Sequence, residues 1–406
     1  YDDYAFAHSG SIKHDLVWDI LSRAGKQVVL LGVPQTYPPR WINGHMVSCF
    51  LTPSRDSRYT YPLQLKAEIE AVADGYVFDV EDFRTPNKRE LLQRIYDKTR
   101  QHFHVAKYLA VTKPWDFFMM VEMGPDRIHH GFWKYFDSTH AKYEAGNPLE
   151  HAIRDYYRYL DAEIGEFLAC LDPETVVLVV SDHGAKKMDG GICFNEWLIK
   201  NGYLTLRQYP GQVTAMSPKL VDWSATRAWG EGGYYGRLFL NVKGREPQGV
   251  IEPYHYERVR DELIAAIAAI EDPQGNNIGS CAYRPQELYR ETNGVPPDLI
   301  VYFGDLNWRS VGSVGVNSIY SFENDTGPDD ANHDWNGIFL MRAGRRDLGG
   351  VRLHGLELMD VAPTILRQFD LPVPEDMLGS VIDDSRTDNH DEGEEVGRCG
   401  HSVGYL

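Results

Sequence analysis

Two short segments hold acids and imidazoles at spacings that can do chemistry. Ser181-Asp182-His183-Gly184 ends an unbroken apolar run, Val176–Val180. Asp126 and His130 stand four apart in Pro125-Asp126-Arg127-Ile128-His129-His130. On one turn of helix that pair shares a face and can grip one ion, while His129 points elsewhere. A later isolated imidazole, His333, follows the polar loop Glu323–Asn332. Carboxylate oxygens and imidazole nitrogens suit zinc, and also manganese or iron. One catalytic zinc takes three protein ligands plus water, so Asp126, His130, Asp182, His183 and His333 are too many for one ion and too few to close two. Two divalent ions ~3.5–4 Å apart would clamp the attacking and leaving oxygens of a phosphoryl displacement. Each motif also has a plain structural reading: Asp182 in an Asx-turn, or Asp126 as a helix N-cap with His130 on the surface.

These side chains need strands that stop at one edge. Val176–Val180 reads as a strand buried on both faces, as in a parallel sheet, where ligands sit at the carboxyl ends. Gly184 lets the backbone turn there without a Cβ clash. Gln27–Gly32 and Trp115–Glu122 are further strand candidates, as are Asp298–Phe303 and Gly337–Met341. Helices are expected over 14–24, 63–73, 88–109, 149–170, 195–201, 254–270 and 357–366. Residues 40–62 read as loop, with Asn43-Gly44 a turn signal. Strands alternating with helices predict an α/β protein, a three-layer α/β/α sandwich on a mainly parallel sheet. From about 206 the character changes. Residues 206–290 read as a cap inserted into a core made of 1–205 and 291–406. The Gly-rich stretch Gly230–Gly236 lacks the strand–loop–helix order of a phosphate cradle and suits a hairpin. Trp223, Trp229, Tyr234 and Tyr235 form either a stacking wall for a leaving group or packing within the cap.

The chain has 406 residues and a formal net charge of −18. That balance disfavours nucleic-acid polymers and anionic membranes as partners, and no apolar run approaches the ~20 residues of a membrane span. Cys49, Cys170, Cys193, Cys281 and Cys399 are scattered, without CxxC spacing. That argues against a disulfide framework and a thiolate zinc site, and fits a reducing, cytoplasmic location. The stretch Asp383–Glu395 reads as a solvated acidic tail.

The Pro-Asp-x-x-x-His element, the Ser-Asp-His-Gly element and the late His resemble the alkaline phosphatase superfamily. The nearest likeness is to its type I phosphodiesterase/nucleotide pyrophosphatase branch, over about residues 15–380. Pro297-Asp298-Leu-Ile-Val and Asp360-Val-Ala-Pro-Thr-Ile-Leu add to the likeness. The resemblance implies two divalent cations, zinc before manganese or iron. It assigns Asp126, His130 and His333 to one ion and Asp182 and His183 to the other. It further implies an Asp from a first strand and a Thr or Ser nucleophile that forms a covalent phospho-enzyme. Neither is found in this sequence. The expectation is that both come from a segment before Tyr1 or from a second chain. Lys186, or its neighbour Lys187, is a weak candidate for a phosphate contact. The expected substrate is a small-molecule phosphoester, with phosphodiesterase or pyrophosphatase activity. Phosphomonoesterase, phosphomutase or sulfatase chemistry on the same scaffold, or a non-catalytic metal-binding relative, are the alternatives.

Overall fold

A computed structural model describes residues 7–324, 326–344 and 350–383; apart from Asp383, the expected acidic tail lies outside them. The first half runs α1 (Val17–Arg23), β1 (Val28–Leu31), β2 (Gly44–Val47), β3 (Thr60–Tyr61), α2 (Leu65–Ala73), α3 (Lys88–Thr112), β4 (Phe117–Met120), α4 (Gly124–Phe136), α5 (Ala152–Ala169) and β5 (Val176–Val180). Next come β6 (Gly184–Lys187), β7 (Gly190–Cys193), α6 (Phe194–Lys200), β8 (Ala228–Glu231), β9 (Gly236–Leu240), α7 (Tyr256–Ala268), β10 (Cys281–Tyr283), α8 (Pro285–Leu288) and β11 (Leu299–Tyr302). The last elements are β12 (Trp308–Val311), β13 (Tyr320–Ser321), β14 (Ala331–Asp334), β15 (Phe339–Ala343) and α9 (Val361–Gln368). Strands and helices mix throughout, as expected of an α/β protein.

β1 is the buried centre of the first sheet. Its four apolar residues pair in parallel with β2 on one side and β4 on the other, in the order β3-β2-β1-β4. Successive side chains point to opposite faces. Val29 and Leu31 therefore pack with Leu65 and Ile69 of α2 and Val105 and Leu109 of α3. Val28 and Leu30 pack with Trp18 and Leu21 of α1 and Ile365 and Leu366 of α9. Helices on both faces explain why this strand carries no polar residue.

Three expectations need correction. Residues 40–62 are not all loop: Gly44, read as part of a turn, opens β2, a four-residue strand too short to show a period. Parallel pairing in the first sheet is confined to β2, β1 and β4, because β3 pairs antiparallel with β2; β5 lies in a separate sheet and pairs antiparallel with β15, from Val180↔Phe339 to Val176↔Ala343. Nor is β5 buried on both faces: Val176 is 37% exposed and Val177–Val180 are half-buried.

Asp298–Phe303 also lies elsewhere than expected. As β11 it sits between β10 and β9 in a separate antiparallel sheet, β10-β11-β9-β8. Buried Asp298 accepts from both terminal nitrogens of Arg245, from the Tyr256 hydroxyl and from Leu240 N. This sheet shares one apolar core with α6 and α7, running from Ile192 to Trp308, wider on both sides than 206–290. Gly230–Gly236 does form a hairpin turn, joining β8 to β9. Cys49 and Cys170 are free thiols, whereas Cys281 is disulfide-bonded, which its scattered spacing did not suggest. Among the described residues, no helix is long and apolar enough to cross a membrane.

Candidate metal centre

α4 presents the first donors. Pro125 occupies its first turn, where the missing N–H costs nothing. Gly124 allows the helix to start against α3 and α5, since a Cβ there would lie 1.8 Å from the Tyr156 hydroxyl and 2.7 Å from Thr99 Oγ1. Asp126 then falls in the first turn and His130 one turn later. Asp126 Oδ1 lies 3.3 Å from His130 Nε2 and 3.5 Å from His333 Nε2. The expected shared helical face is therefore present.

β6 and β14 bring in the other two imidazoles. They pair antiparallel, with His333 opposite Ala185 and Asp334 opposite Gly184. Gly184 is required by close approach, because a Cβ there would stand 2.3 Å from the Asn336 carbonyl oxygen. This register stacks His183 on His333, ring centroids 3.5 Å apart and 13° from parallel. His183 Nδ1–H donates to the Gly184 carbonyl at 2.8 Å, which leaves Nε2 as the free lone pair. One donor atom each from Asp126, His183 and His333 lies within 4.8 Å of the other two. His130 Nε2 is 3.4 Å from His333 Nε2.

Not all five predicted donors converge equally. The Asp182 side chain is 74% exposed and 3.7 Å from His183 Nε2, beside the cluster rather than inside it. Lys186 is turned away: its amine binds the Asp305 carbonyl and carboxylate and Asp334 Oδ1 at 2.6, 3.0 and 2.9 Å. Lys187 pairs with Asp189 at 3.0 Å. Among the aromatics, Trp223 and Trp229 form an edge-on pair in the cap-region core, and Tyr235 packs on Tyr302. Tyr234 alone reaches the cluster, stacking on His333 at 3.5 Å with its hydroxyl 3.4 Å from His130 Nε2. It is placed there by the β8–β9 turn, where Gly233 and Ser310 of β12 exchange backbone hydrogen bonds. Arg309, next to Ser310, lies over the Tyr234 ring at 4.7 Å.

Asp329 escaped the reading of the sequence. Its fully buried carboxylate accepts from His130 Nδ1–H at 2.7 Å and pairs with Arg84 Nε at 3.0 Å and Arg309 Nη1 at 3.2 Å. An acid four residues before a suspected ligand was the signal available, hidden in the polar loop Glu323–Asn332.

Charge is finely balanced here. Burial opposes ionisation of Asp126, yet His130, His333 and Arg127 hold its carboxyl well below the usual range. Burial also disfavours a charged His130, but Asp329 and Asp126 outweigh it and push the imidazole up to about 10. Burial, reinforced by the neighbouring His183 and His130, brings His333 down to about 4. A neutral imidazole, an ionised carboxylate and a second imidazole whose Nε2 proton faces that carboxylate suit a divalent cation, which would replace the proton. The donor set is oxygen and nitrogen with no thiolate, which fits zinc, manganese or iron.

A family model described as type I phosphodiesterase / nucleotide pyrophosphatase matches residues 3–329. A search of curated proteins finds no match.

Proposed function

The chain belongs to the type I phosphodiesterase/nucleotide pyrophosphatase family, a family of phosphate-ester hydrolases, and from that premise we propose that it is the metal-holding part of a two-metal phosphodiesterase or nucleotide pyrophosphatase. The reading is supported by one observation: Asp126 of α4, His183 beyond β5 and His333 of β14, far apart in sequence, each bring a donor atom within 4.8 Å of the other two. Asp126, His130 and His333 would hold one cation, and His183 with Asp182 a second. When bound, such ions polarise phosphoryl oxygens and offset the charge that develops on them.

The chain's own residues do the positioning. Asp329 fixes the His130 tautomer so that Nε2 faces the cluster. The Gly184 carbonyl does the same for His183. Tyr234 covers one face of His333, limiting water and offering a flat surface and a hydroxyl to a leaving group. The hydroxyl that attacks phosphorus, a Thr or Ser, is supplied from outside this sequence. The substrate is a small phosphodiester, handled by an α/β/α core with the β8–β11 sheet as its cap.

Metal analysis after equilibrium dialysis tests the centre. Zinc or manganese should bind the 406-residue chain, and Asp126→Ala or His333→Ala should release it. Undiminished metal in both variants sinks the assignment. The reaction is tested on protein made from the complete reading frame, by comparing a generic phosphodiester with a monoester. Faster monoester cleavage would overturn the phosphodiesterase reading.

A further inference from the structure

His183 and His333 depend on a very small sheet. β6 and β14 have four residues each, and among the described residues neither pairs with a third strand. His183 directly precedes β6, and His333 lies in β14. A two-stranded ribbon is marginal in water by itself. A slip of one residue would turn His333 to the opposite face, away from Asp126. Contacts from outside the ribbon must therefore hold its register.

Side chains alternate along each strand, so the ribbon has two unlike faces. His183, Ala185 and His333 share one, and there His333 meets Asp126 and His130 of α4. Lys186, Asn332 and Asp334 share the other. That second face is held by the turn between β11 and β12, residues 304–307. Lys186 Nζ donates to the Asp305 carbonyl at 2.6 Å and to its carboxylate at 3.0 Å, and pairs with Asp334 Oδ1 at 2.9 Å. Asn332 Nδ2 donates to the Leu306 carbonyl. Past the strand ends, Trp335 Nε1 donates to Asp305 Oδ1 at 2.8 Å, and Asp189 N to the Asn307 carbonyl at 2.8 Å. One turn thus grips both strands and the chain beyond each.

The turn is itself strained. Leu306 has φ +63°, uncommon for a bulky side chain. Such a conformation persists only where its surroundings over-determine it. Here the Leu306 side chain is fully buried with Ile300 and Tyr302 of β11, and Asp305 N donates to Asn307 Oδ1 at 3.0 Å. These contacts preset the two carbonyls that Lys186 and Asn332 bind.

We propose that Asp305 is a positioning residue for the metal centre, a role that rests on the functional reading above. By holding Lys186 and Trp335 it fixes the β6–β14 register and, through it, the stack of His183 on His333. Lys186 then serves the ribbon and not a phosphate. The Asp305 side chain is 49% exposed, and an isolated ion pair so placed would be worth little. Its strength comes from convergence: the carboxylate accepts from two side chains, and the carbonyl of the same residue accepts from one of them.

Hydrogen exchange in EDTA tests the latch without metal. Asp305→Ala should speed the amides of 184–187 and 331–334 by ~10-fold. Asp305→Asn, which can still accept from Trp335, should speed them less. Tyr256→Phe is the control: it loses the 2.6 Å bond to Asp298 and should lower Tm without speeding those amides. Equal acceleration by Tyr256→Phe and Asp305→Ala, or none by Asp305→Ala, overturns the proposal. Positioning is read separately. Asp305→Ala should weaken zinc binding by ~10-fold, the low end for a group behind a metal ligand. It should also shift the visible bands of cobalt bound at saturation in place of zinc, because those bands follow ligand geometry. Fast exchange with parental zinc affinity and parental cobalt bands makes Asp305 structural only and overturns the positioning role. If the parent chain binds no zinc while Asp305→Ala still speeds the ribbon, the latch stands and the metal centre falls.

Discussion

Replacing Asp329 by Asn separates a positioning role from a merely structural one. The carboxylate holds His130 Nδ1–H at 2.7 Å and so points Nε2 at Asp126 and His333. Asn keeps the shape but loses the charge and can present its NH2 to the ring instead. Losing a hydrogen-bond partner behind a metal-binding histidine costs roughly 10–100-fold in metal affinity, which is about 1.4–2.8 kcal/mol. The change also removes the anion shared by Arg84 and Arg309. Breaking a buried pair costs about 3–5 kcal/mol, and the lower end applies because the Arg84 side chain is 19% exposed. Calorimetric zinc titration at fixed pH reads the first effect and a thermal melt in EDTA the second. Arg84→Met is the control: it loses the 3.0 Å contact to Asp329 but leaves His130 held, so Tm should fall while zinc affinity stays within about threefold. If folded Asp329→Asn binds zinc as tightly as the parent, Asp329 does not orient His130.

In EDTA, Tm should fall as pH rises from 7 to 10.5. His130 is raised to about 10 from an unfolded value of ~6.5, so its contribution is complete below ~6.5 and lost through about 10. Saturating zinc, which takes the proton's place, should flatten that fall, and an equal slope with and without zinc refutes the exchange. Gly124→Ala should lower Tm and weaken zinc binding together, because its Cβ would meet the Tyr156 hydroxyl at 1.8 Å and α4 must move; an unchanged melt would show that α4 has slack. Tyr234→Phe should leave zinc affinity unchanged while weakening phosphate binding to the zinc-loaded chain, by about twofold to tenfold for one lost hydrogen bond. Unaltered phosphate binding removes the hydroxyl from the site.

Much of this centre was legible because its signals are local. Asp126 and His130 share a face by helical spacing alone, and an apolar run that breaks at Asp182-His183 marks a strand end without reference to any other strand. Those segments, with His333, were enough to identify the family. Tertiary structure decided everything that depends on which segment lies against which. The β6–β14 register chose His183 and His333 as stacked partners and left Asp182 exposed. The fold carried Asp329 from an acidic loop into a buried contact with His130, and the β8–β9 turn delivered Tyr234 while Trp223 and Trp229 went to the core. An apolar run records that burial is wanted but not by what. For that reason β11 could be read as a strand yet placed in the wrong sheet, and β5 could be read as buried on both faces although among the described residues it pairs only with β15.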